Sequence, residues 1–397
     1  MLDNGLLLFQ IAVIVGVSQV FAWVVGKFGQ PSVVGEMAAG ISLGPTFLGF
    51  LFPSCSHTLF PTVSLGYLSA LSQVGLVIFI FLIGVRVDLS ELRSQRGIAL
   101  VISNVSVIVP LLMGIGMAGY LFPRYGNANK VAFALFLGTA MSVTAFPVLA
   151  RILRDRNLLG TRLGTIAIAS AAVDDITAWI LLAAIVSINA TERNTRPIWL
   201  TLVFLAGYAL LMMALRRALE FWCRRYEASL TLNSIVVLVI PALVSGGASE
   251  WIGVHAFVGA FAAGLITPRK FREQLIGKLE PVALIVLLPL FFALTGLRTN
   301  LLFSGGKQAY LDLGLIILVA VASKWGGTFL AAVARGFGWR EASQLGLLMN
   351  TRGLVGLIVL NVGLDKGILS PTLYSMMVFM ALATTFMATP LMNWLEK

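Results

Sequence analysis

The chain has 397 residues, of which 58% are hydrophobic and only 11% are charged, and its mean hydropathy is +0.94. This composition excludes a soluble globular protein, because a folded surface in water needs far more polar side chains. The formal net charge of +11 does not indicate nucleic-acid binding, since the basic residues lie in short clusters between apolar runs. Such clusters are typical of the loops of membrane proteins.

A helix needs roughly 20 apolar residues to cross the hydrocarbon core of a bilayer. By this measure the sequence predicts an all-α polytopic membrane protein with thirteen transmembrane helices. The spans lie near residues 5–26, 31–50, 62–85, 98–122, 130–154, 160–189, 197–218, 230–250, 254–268, 277–298, 309–334, 341–364 and 371–394.

The basic residues predict how these spans are oriented. With the N-terminus outside, nineteen of the 28 lysines and arginines fall on the cytoplasmic side and seven on the outer side. Such an excess on short cytoplasmic loops sets the orientation of a membrane protein. The two remaining basic residues, Lys324 and Arg352, lie inside predicted spans.

Two pairs of segments indicate an internal repeat. Span two, Val34–Pro45, is similar to span nine, Val258–Pro268, and the end of span three, Leu82–Leu89, is similar to the end of span ten, Leu294–Leu301. The shift of seven spans is odd, so the two copies would cross the membrane in opposite senses. Inverted repeats are typical of secondary transporters, whose binding sites lie near the bilayer midplane.

Two spans at matching places in the repeats carry breaks in their helical pattern. Span five contains Ser142, Thr144 and Pro147 near its middle, and the proline predicts that the helix unwinds around Ser142 to Phe146. Span twelve contains Met349–Gly356, a polar stretch with glycine between two apolar halves. Matching broken helices favour a binding site. The alternative is an ordinary proline kink together with a glycine-rich packing face.

Several charged residues lie at membrane depth, where they are costly and usually functional. Asp174 and Asp175 are adjacent in span six, so their side chains point about 100° apart and cannot share one partner. One is expected to face an ion passage and the other a counter-charge, for which Lys324 in span eleven is the candidate. A salt bridge that only fixes helix register is the alternative, although it leaves one acid unmatched. Arg352 is placed to neutralise carbonyl groups at a helix break, and the role of Glu36 in span two stays open.

The stretches 139–151 (TAMSVTAFPVLAR), 172–175 (AVDD) and 350–361 (NTRGLVGLIVLN) resemble the monovalent cation:proton antiporter-2 family, most closely the plant cation/proton exchangers and their bacterial relatives. The resemblance covers nearly the whole chain. It implies the sodium/proton antiporter fold, in which the fifth and twelfth helices are discontinuous and cross, supported here by Pro147, Thr351, Arg352 and Gly353.

The resemblance also assigns roles to the acids. It implies that Asp175 binds the cation or the proton, and that Asp174 forms an ion pair with Lys324. Oxygen atoms of Ser142 and Thr144 would assist Asp175, because hard cations prefer such ligands. Many relatives carry a glutamate after the Arg-Gly of helix twelve, where this chain has Leu354.

The predicted function is exchange of Na⁺, K⁺ or Li⁺ for protons by alternating access, expected to be electrogenic. The alternative is a proton- or sodium-coupled symporter of an organic anion with the same architecture. A membrane enzyme would need a nucleophile paired with a base, a metal cluster or a phosphate-binding loop, and the sequence shows no such arrangement, so neither catalysis nor a cofactor is predicted.

The resemblance further implies a homodimer. Its dimerisation domain would comprise residues 31–50, 197–268 and parts of 5–26, and its core domain residues 62–189 and 277–394. Many relatives continue into a cytoplasmic regulatory domain, for which no counterpart is expected in this chain. The expected location is a bacterial inner membrane, with a plant endomembrane as the alternative.

Overall fold

A computed structural model describes most of the chain. The described residues are 4–30, 32–86, 96–127, 129–145, 148–149, 152–153, 156–158, 161–189, 198–225, 232–252, 256–301 and 306–396. Apart from one antiparallel bridge between Gly126 and Leu369, the secondary structure of these residues is helical. The predicted all-α fold is confirmed.

The first half of the chain forms eight described helices. They are α1 (Asn4–Lys27), α2 (Ser32–Leu43), α3 (Leu48–Leu51), α4 (Pro53–Leu59), α5 (Thr62–Arg86), α6 (Arg96–Tyr125), α7 (Lys130–Ser142) and α8 (Arg162–Asn189).

The second half forms nine more within the described residues. They are α9 (Ile198–Arg225), α10 (Leu232–Ile252), α11 (Ala256–Leu265), α12 (Arg269–Val282), α13 (Leu288–Leu297), α14 (Gly306–Ala334), α15 (Trp339–Met349), α16 (Leu354–Asp365) and α17 (Pro371–Glu396). A π-helical turn, Ala283–Leu287, joins α12 to α13 without a break.

Nine helical segments within the described residues are long and apolar enough to cross a membrane. Three shorter apolar helices, Lys130–Ser142, Ala256–Leu265 and Val355–Asp365, accompany them, and α9 covers the predicted span 197–218. Many large apolar side chains are exposed, including Leu8 on α1 and Leu210 on α9, as a lipid environment allows. Every predicted span thus contains helix, while the count of thirteen crossings stays a prediction.

The chain divides into two compact units. Unit 1 comprises residues 1–11, 62–89 and 190–291, and unit 2 comprises residues 12–61, 90–189 and 292–397. Unit 1 therefore groups α5 with α9 to α12, whereas unit 2 contains α6 to α8 and α14 to α17. The functional division into a dimerisation domain and a core domain stays a prediction.

Each unit contains a glycine-to-glycine helix contact. In unit 2, a Cβ atom on Gly40 of α2 would overlap the carbonyl of Phe292, and one on Gly296 of α13 would overlap the backbone of Gly40. In unit 1, a Cβ atom on Gly84 of α5 would overlap the carbonyl of Phe261, and Gly264 of α11 faces Gly84 in turn. Close helix approach in membranes depends on such small residues.

These four glycines occupy corresponding places in the two proposed repeats. Gly40 matches Gly264 in the first pair of similar segments, and Gly84 matches Gly296 in the second. The contact of Gly40 with Gly296 joins span two to span ten, and the contact of Gly84 with Gly264 joins span three to span nine. This pattern is what a two-fold relation between the repeats would produce, although the inverted relation itself stays a prediction.

We expect Gly296→Ala to destabilise the protein by about 1–3 kcal/mol, because overpacking a close contact forces the backbone apart. The measurement is thermal unfolding of the purified protein in detergent. Gly314→Ala on α14 is the matched control, since a Cβ there meets nothing within 4 Å and alanine favours helix. Equal stability of Gly296→Ala and the wild type would contradict the close contact.

Candidate functional site

Two helix breaks meet inside unit 2. Helix α7 ends at Ser142 and is followed by non-helical backbone through Ala145, while α15 ends at Met349 and α16 starts at Leu354. The amide of Ala145 donates a hydrogen bond of 2.8 Å to the carbonyl oxygen of Thr351, so the two non-helical segments lie side by side. Breaks were predicted at these places, and Pro147, which was expected to contribute, lies outside the described residues.

Gly353 allows this close approach. Its backbone is extended, with φ at −160°, so the reason for glycine is space. A Cβ atom at this position would lie 2.8 Å from Cγ2 of Val148 and 3.2 Å from Cβ of Ala145. Any larger residue would therefore push the two breaks apart.

The last carbonyl groups of a helix lack partners within the helix, and at α7 they are met by two buried cations. The guanidinium of Arg352 donates to the carbonyl of Met141 at 2.6 Å, and the ammonium of Lys324 donates to the carbonyl of Ser142. Thr139 O accepts the Ser142 hydroxyl at 2.8 Å. These contacts give the last carbonyl oxygens of α7 hydrogen-bond donors, and the two cations place positive charge at the negative end of the helix dipole.

At the end of α15, one carbonyl is met by a hydroxyl group, since Thr351 Oγ1 donates to the carbonyl of Leu348 at 2.7 Å. Thr144 Oγ1 lies 3.1 Å from the carbonyl oxygen of Met349, but its one proton has a closer acceptor in Oδ2 of Asp174, 2.7 Å away. Arg352 also donates to Asn350 Oδ1 at 2.9 Å, which ties the guanidinium to the same break.

Asp174 of α8 is buried and fully hydrogen-bonded. Its Oδ1 accepts from the Ser103 hydroxyl at 2.6 Å, and its Oδ2 lies 2.9 Å from Ser106 Oγ and 2.7 Å from Thr144 Oγ1. The ammonium of Lys324 lies 2.9 Å from the same Oδ2. Neither side chain of this ion pair is exposed, so its charges compensate each other without water.

Lys324 lies on α14 and is enclosed by acceptors. Besides Asp174 and the Ser142 carbonyl, it donates to the carbonyl of Ser106 at 2.9 Å. Small residues around it on α14, among them Ser323 and Gly327, let neighbouring helices approach. The lysine therefore links α14 to α6, α7 and α8.

Asp175 is equally buried, with 1% of its surface exposed, but its surroundings differ. Its Oδ1 has no hydrogen-bond partner within the described part of the chain. The hydroxyls of Ser142 and Thr144 were expected from the sequence to assist Asp175. In this structure the Ser142 hydroxyl donates to Thr139 O and the Thr144 hydroxyl donates to Asp174. Both carboxylate oxygens of Asp174 therefore have hydrogen-bond partners, whereas Oδ1 of Asp175 has none within the described residues.

The structure also describes Glu36, whose role the sequence left open. Glu36 is buried on α2, and its role stays open. Sequence reasoning missed Ser103 and Ser106 of α6, which both donate to Asp174. Their spacing of three residues in an otherwise apolar span places both on one helix face, and that pattern was the signal available.

The arrangement offers oxygen atoms only. Carboxylates, hydroxyls and exposed carbonyls suit hard cations, whereas transition metals prefer nitrogen or sulfur ligands. Among the described residues, no group of three or more His, Cys, Asp or Glu side chains is placed to hold a metal ion. Ligands of this kind are the ones that alkali cations accept.

A family model described as "Sodium/hydrogen exchanger, transmembrane" matches residues 11–395. The chain is 38% identical to the Na⁺/H⁺ antiporter NhaS4 of Synechocystis, covering 97% of this chain and 96% of that protein. It is also 38% identical to cation/H⁺ antiporter 20 of Arabidopsis thaliana, where it covers 97% of this chain but 48% of the relative. The chain thus spans about half the length of this plant relative.

A solved structure gives the same fold. The sodium proton antiporter MjNhaP1 from Methanocaldococcus jannaschii matches with a TM-score of 0.75 at 13% identity, over 98% of both chains. At that identity the likeness concerns the fold alone.

We expect Lys324→Gln to lower the free energy of unfolding by about 3 kcal/mol, because it leaves Asp174 buried without a counter-charge. Thermal unfolding in detergent measures the effect. The double variant Asp174→Asn/Lys324→Gln should recover most of the loss, since removal of both partners leaves neither charge of this pair uncompensated.

The control for this pair is Lys307→Gln, an exposed lysine on the same helix, which should change stability by less than about 0.5 kcal/mol. Additive effects of the two single substitutions would show that Asp174 and Lys324 do not interact.

Proposed function

This chain belongs to the sodium/hydrogen exchanger family, and on that premise we propose that it exchanges a monovalent cation for protons across a membrane. The cation is Na⁺, K⁺ or Li⁺, and transport proceeds by alternating access. The names of its relatives support exchange with protons rather than symport of an organic anion, the alternative that the architecture alone allows.

One observation carries this proposal: the buried carboxylate of Asp175 has an oxygen without a partner within the described residues. An ionised carboxylate in a low-dielectric interior is very costly unless a positive group compensates it. The nearby lysine is already paired with Asp174, and Arg352 is directed at carbonyl oxygens. Asp175 therefore has two stable states, one protonated and one bound to a cation.

Exchange follows from competition for this one group. A cation that reaches Asp175 displaces its proton, and a proton that returns releases the cation. Oxygen atoms of Ser142, Thr144 and the non-helical backbone would complete the coordination when a cation displaces their present partners, because alkali cations accept such ligands. Because the two states exclude each other, the cation and the proton move in opposite directions.

Asp174 and Lys324 provide a second titratable unit. If Asp174 takes up a proton while Lys324 stays charged, the ion pair opens and more than one proton moves per cation. The two acids are adjacent, so their titrations are coupled. Net charge then crosses the membrane in each cycle, and the membrane potential contributes about 2.3 kcal/mol per charge per 100 mV.

The expected setting is a homodimer in a bacterial inner membrane, with the N-terminus outside and the C-terminus cytoplasmic. The distribution of basic residues supports this orientation. Within the dimer, residues 31–50, 197–268 and parts of 5–26 would form the static domain, and residues 62–189 and 277–394 the moving core.

We expect Asp175→Asn to abolish cation-driven proton movement in proteoliposomes, because an amide neither ionises nor exchanges a proton near neutral pH. An internal pH-sensitive dye reports the flux, with Na⁺, K⁺ and Li⁺ added in turn. Imposed potentials of opposite sign should change the wild-type rate in opposite directions.

Asp312→Asn is the matched control, since Asp312 is another buried aspartate of unit 2. It accepts hydrogen bonds from Tyr125 at 2.8 Å and Tyr120 at 3.0 Å and has no role in the proposed exchange. Folded Asp312→Asn protein should therefore retain exchange. Substantial exchange by Asp175→Asn would refute the proposed site, and a rate insensitive to voltage would refute electrogenic transport.

A further inference from the structure

A basic cavity lies in unit 1, where the C-terminal end of α9 meets the turn between α11 and α12. Its volume is about 260 Å³. The charged residues that line it are Arg216, Glu220, Arg224, Arg269, Lys270 and Arg272.

The walls of this cavity are held by packing and hydrogen bonds. Arg272 donates to the carbonyl of Thr267 at 3.1 Å and to that of Leu265 at 3.4 Å, which fixes the turn after α11. The rings of Trp222 on α9 and Phe271 on α12 lie 5.8 Å apart, and Phe271 is buried. The cavity is therefore a built feature of the unit and its basic residues converge on a defined space.

The charge of the lining favours an anion. Five of the lining side chains are cationic, and Glu220 is the one carboxylate among the lining residues. That carboxylate is already paired with Arg216 at 3.0 Å. Helix α12 begins at Arg269, so the positive end of its dipole adds to the same field.

The position of the cavity identifies the kind of anion. It lies at the end of an apolar helix, and α9 exposes Leu210, Leu211 and Met213 before Arg216, and Phe221 between Arg216 and Arg224. A ligand with a phosphate group and long hydrocarbon tails would satisfy both surfaces at once. Basic pockets between membrane helices bind the headgroups of anionic lipids in this way.

We propose that this cavity binds the phosphate headgroup of an anionic phospholipid, with the acyl chains along the exposed apolar side of α9. In the orientation predicted from the charge bias of the loops, the cavity lies on the cytoplasmic face of the membrane. The bound lipid bridges α9 and α12, two helices of the same unit, and thereby stabilises their contact.

The test is thermal unfolding of the full chain in a neutral detergent, with phosphatidylglycerol or phosphatidylcholine added. Phosphatidylglycerol should raise the unfolding temperature of the wild type at lower concentration than phosphatidylcholine. In Arg224→Gln/Lys270→Gln, the concentration needed for half of this effect should rise by about thirty-fold, as expected for the loss of two basic contacts.

The matched control is Arg335→Gln/Arg340→Gln, which removes two exposed basic residues from the same predicted face but outside the cavity. It should respond to phosphatidylglycerol as the wild type does. An equal loss in both double variants would overturn the proposal, because it would indicate a general effect of surface charge.

Two further arms separate the lipid from other phosphates and from misfolding. Equal stabilisation by inorganic phosphate or glycerol 3-phosphate would overturn the lipid assignment, since neither carries acyl chains. Arg224→Lys/Lys270→Arg keeps both charges and should keep most of the lipid response; its loss would overturn an electrostatic origin. Since the readout is stability, the outcome does not depend on the proposed cation exchange.

Discussion

The central constraint in this protein is the cost of an ionised carboxylate in an environment without water. Two adjacent acids of α8 are buried, and one lysine is within reach of them. Asp174 has that lysine and three hydroxyl groups as donors, so its charge is compensated locally. Asp175 has an oxygen without a partner within the described residues, so its charge depends on what enters the site. The difference between neighbours in the sequence is the basis of the proposed exchange.

The helix breaks make this difference possible. An intact helix hides its carbonyl oxygens, whereas the interrupted α7 and α15 expose theirs at the point where the segments cross. Two cations from other elements, Lys324 and Arg352, take up the carbonyls of Ser142 and Met141. Lys324 thus serves both the broken helix and Asp174, and the break and the acid pair form one electrostatic unit.

Much of this could be expected from the sequence, for physical reasons. Long apolar runs with few charges can fold only as membrane helices, and a polar, glycine-bearing stretch within such a run indicates a break. The hydrogen bonds from Ser103 and Ser106 to Asp174 could not be predicted from the sequence. A hydroxyl group costs little free energy in a membrane helix, and many such groups bond only to the backbone of their own helix. Nor could the sequence predict that the Thr144 hydroxyl donates to Asp174 rather than to Asp175, since that choice depends on the path of the non-helical backbone after α7.

By itself, the sequence determined the all-α membrane fold, the places of the helix breaks and the acids and bases at membrane depth, because hydrophobicity along the chain fixes what can leave water. Only the tertiary structure decided which acid is compensated and which is not, since that depends on the donors that other helices bring within 3 Å. It also decided that basic residues of α9 and α12, distant in sequence, line one cavity. Composition sets the cost of burying a charge, and packing determines which charges have partners.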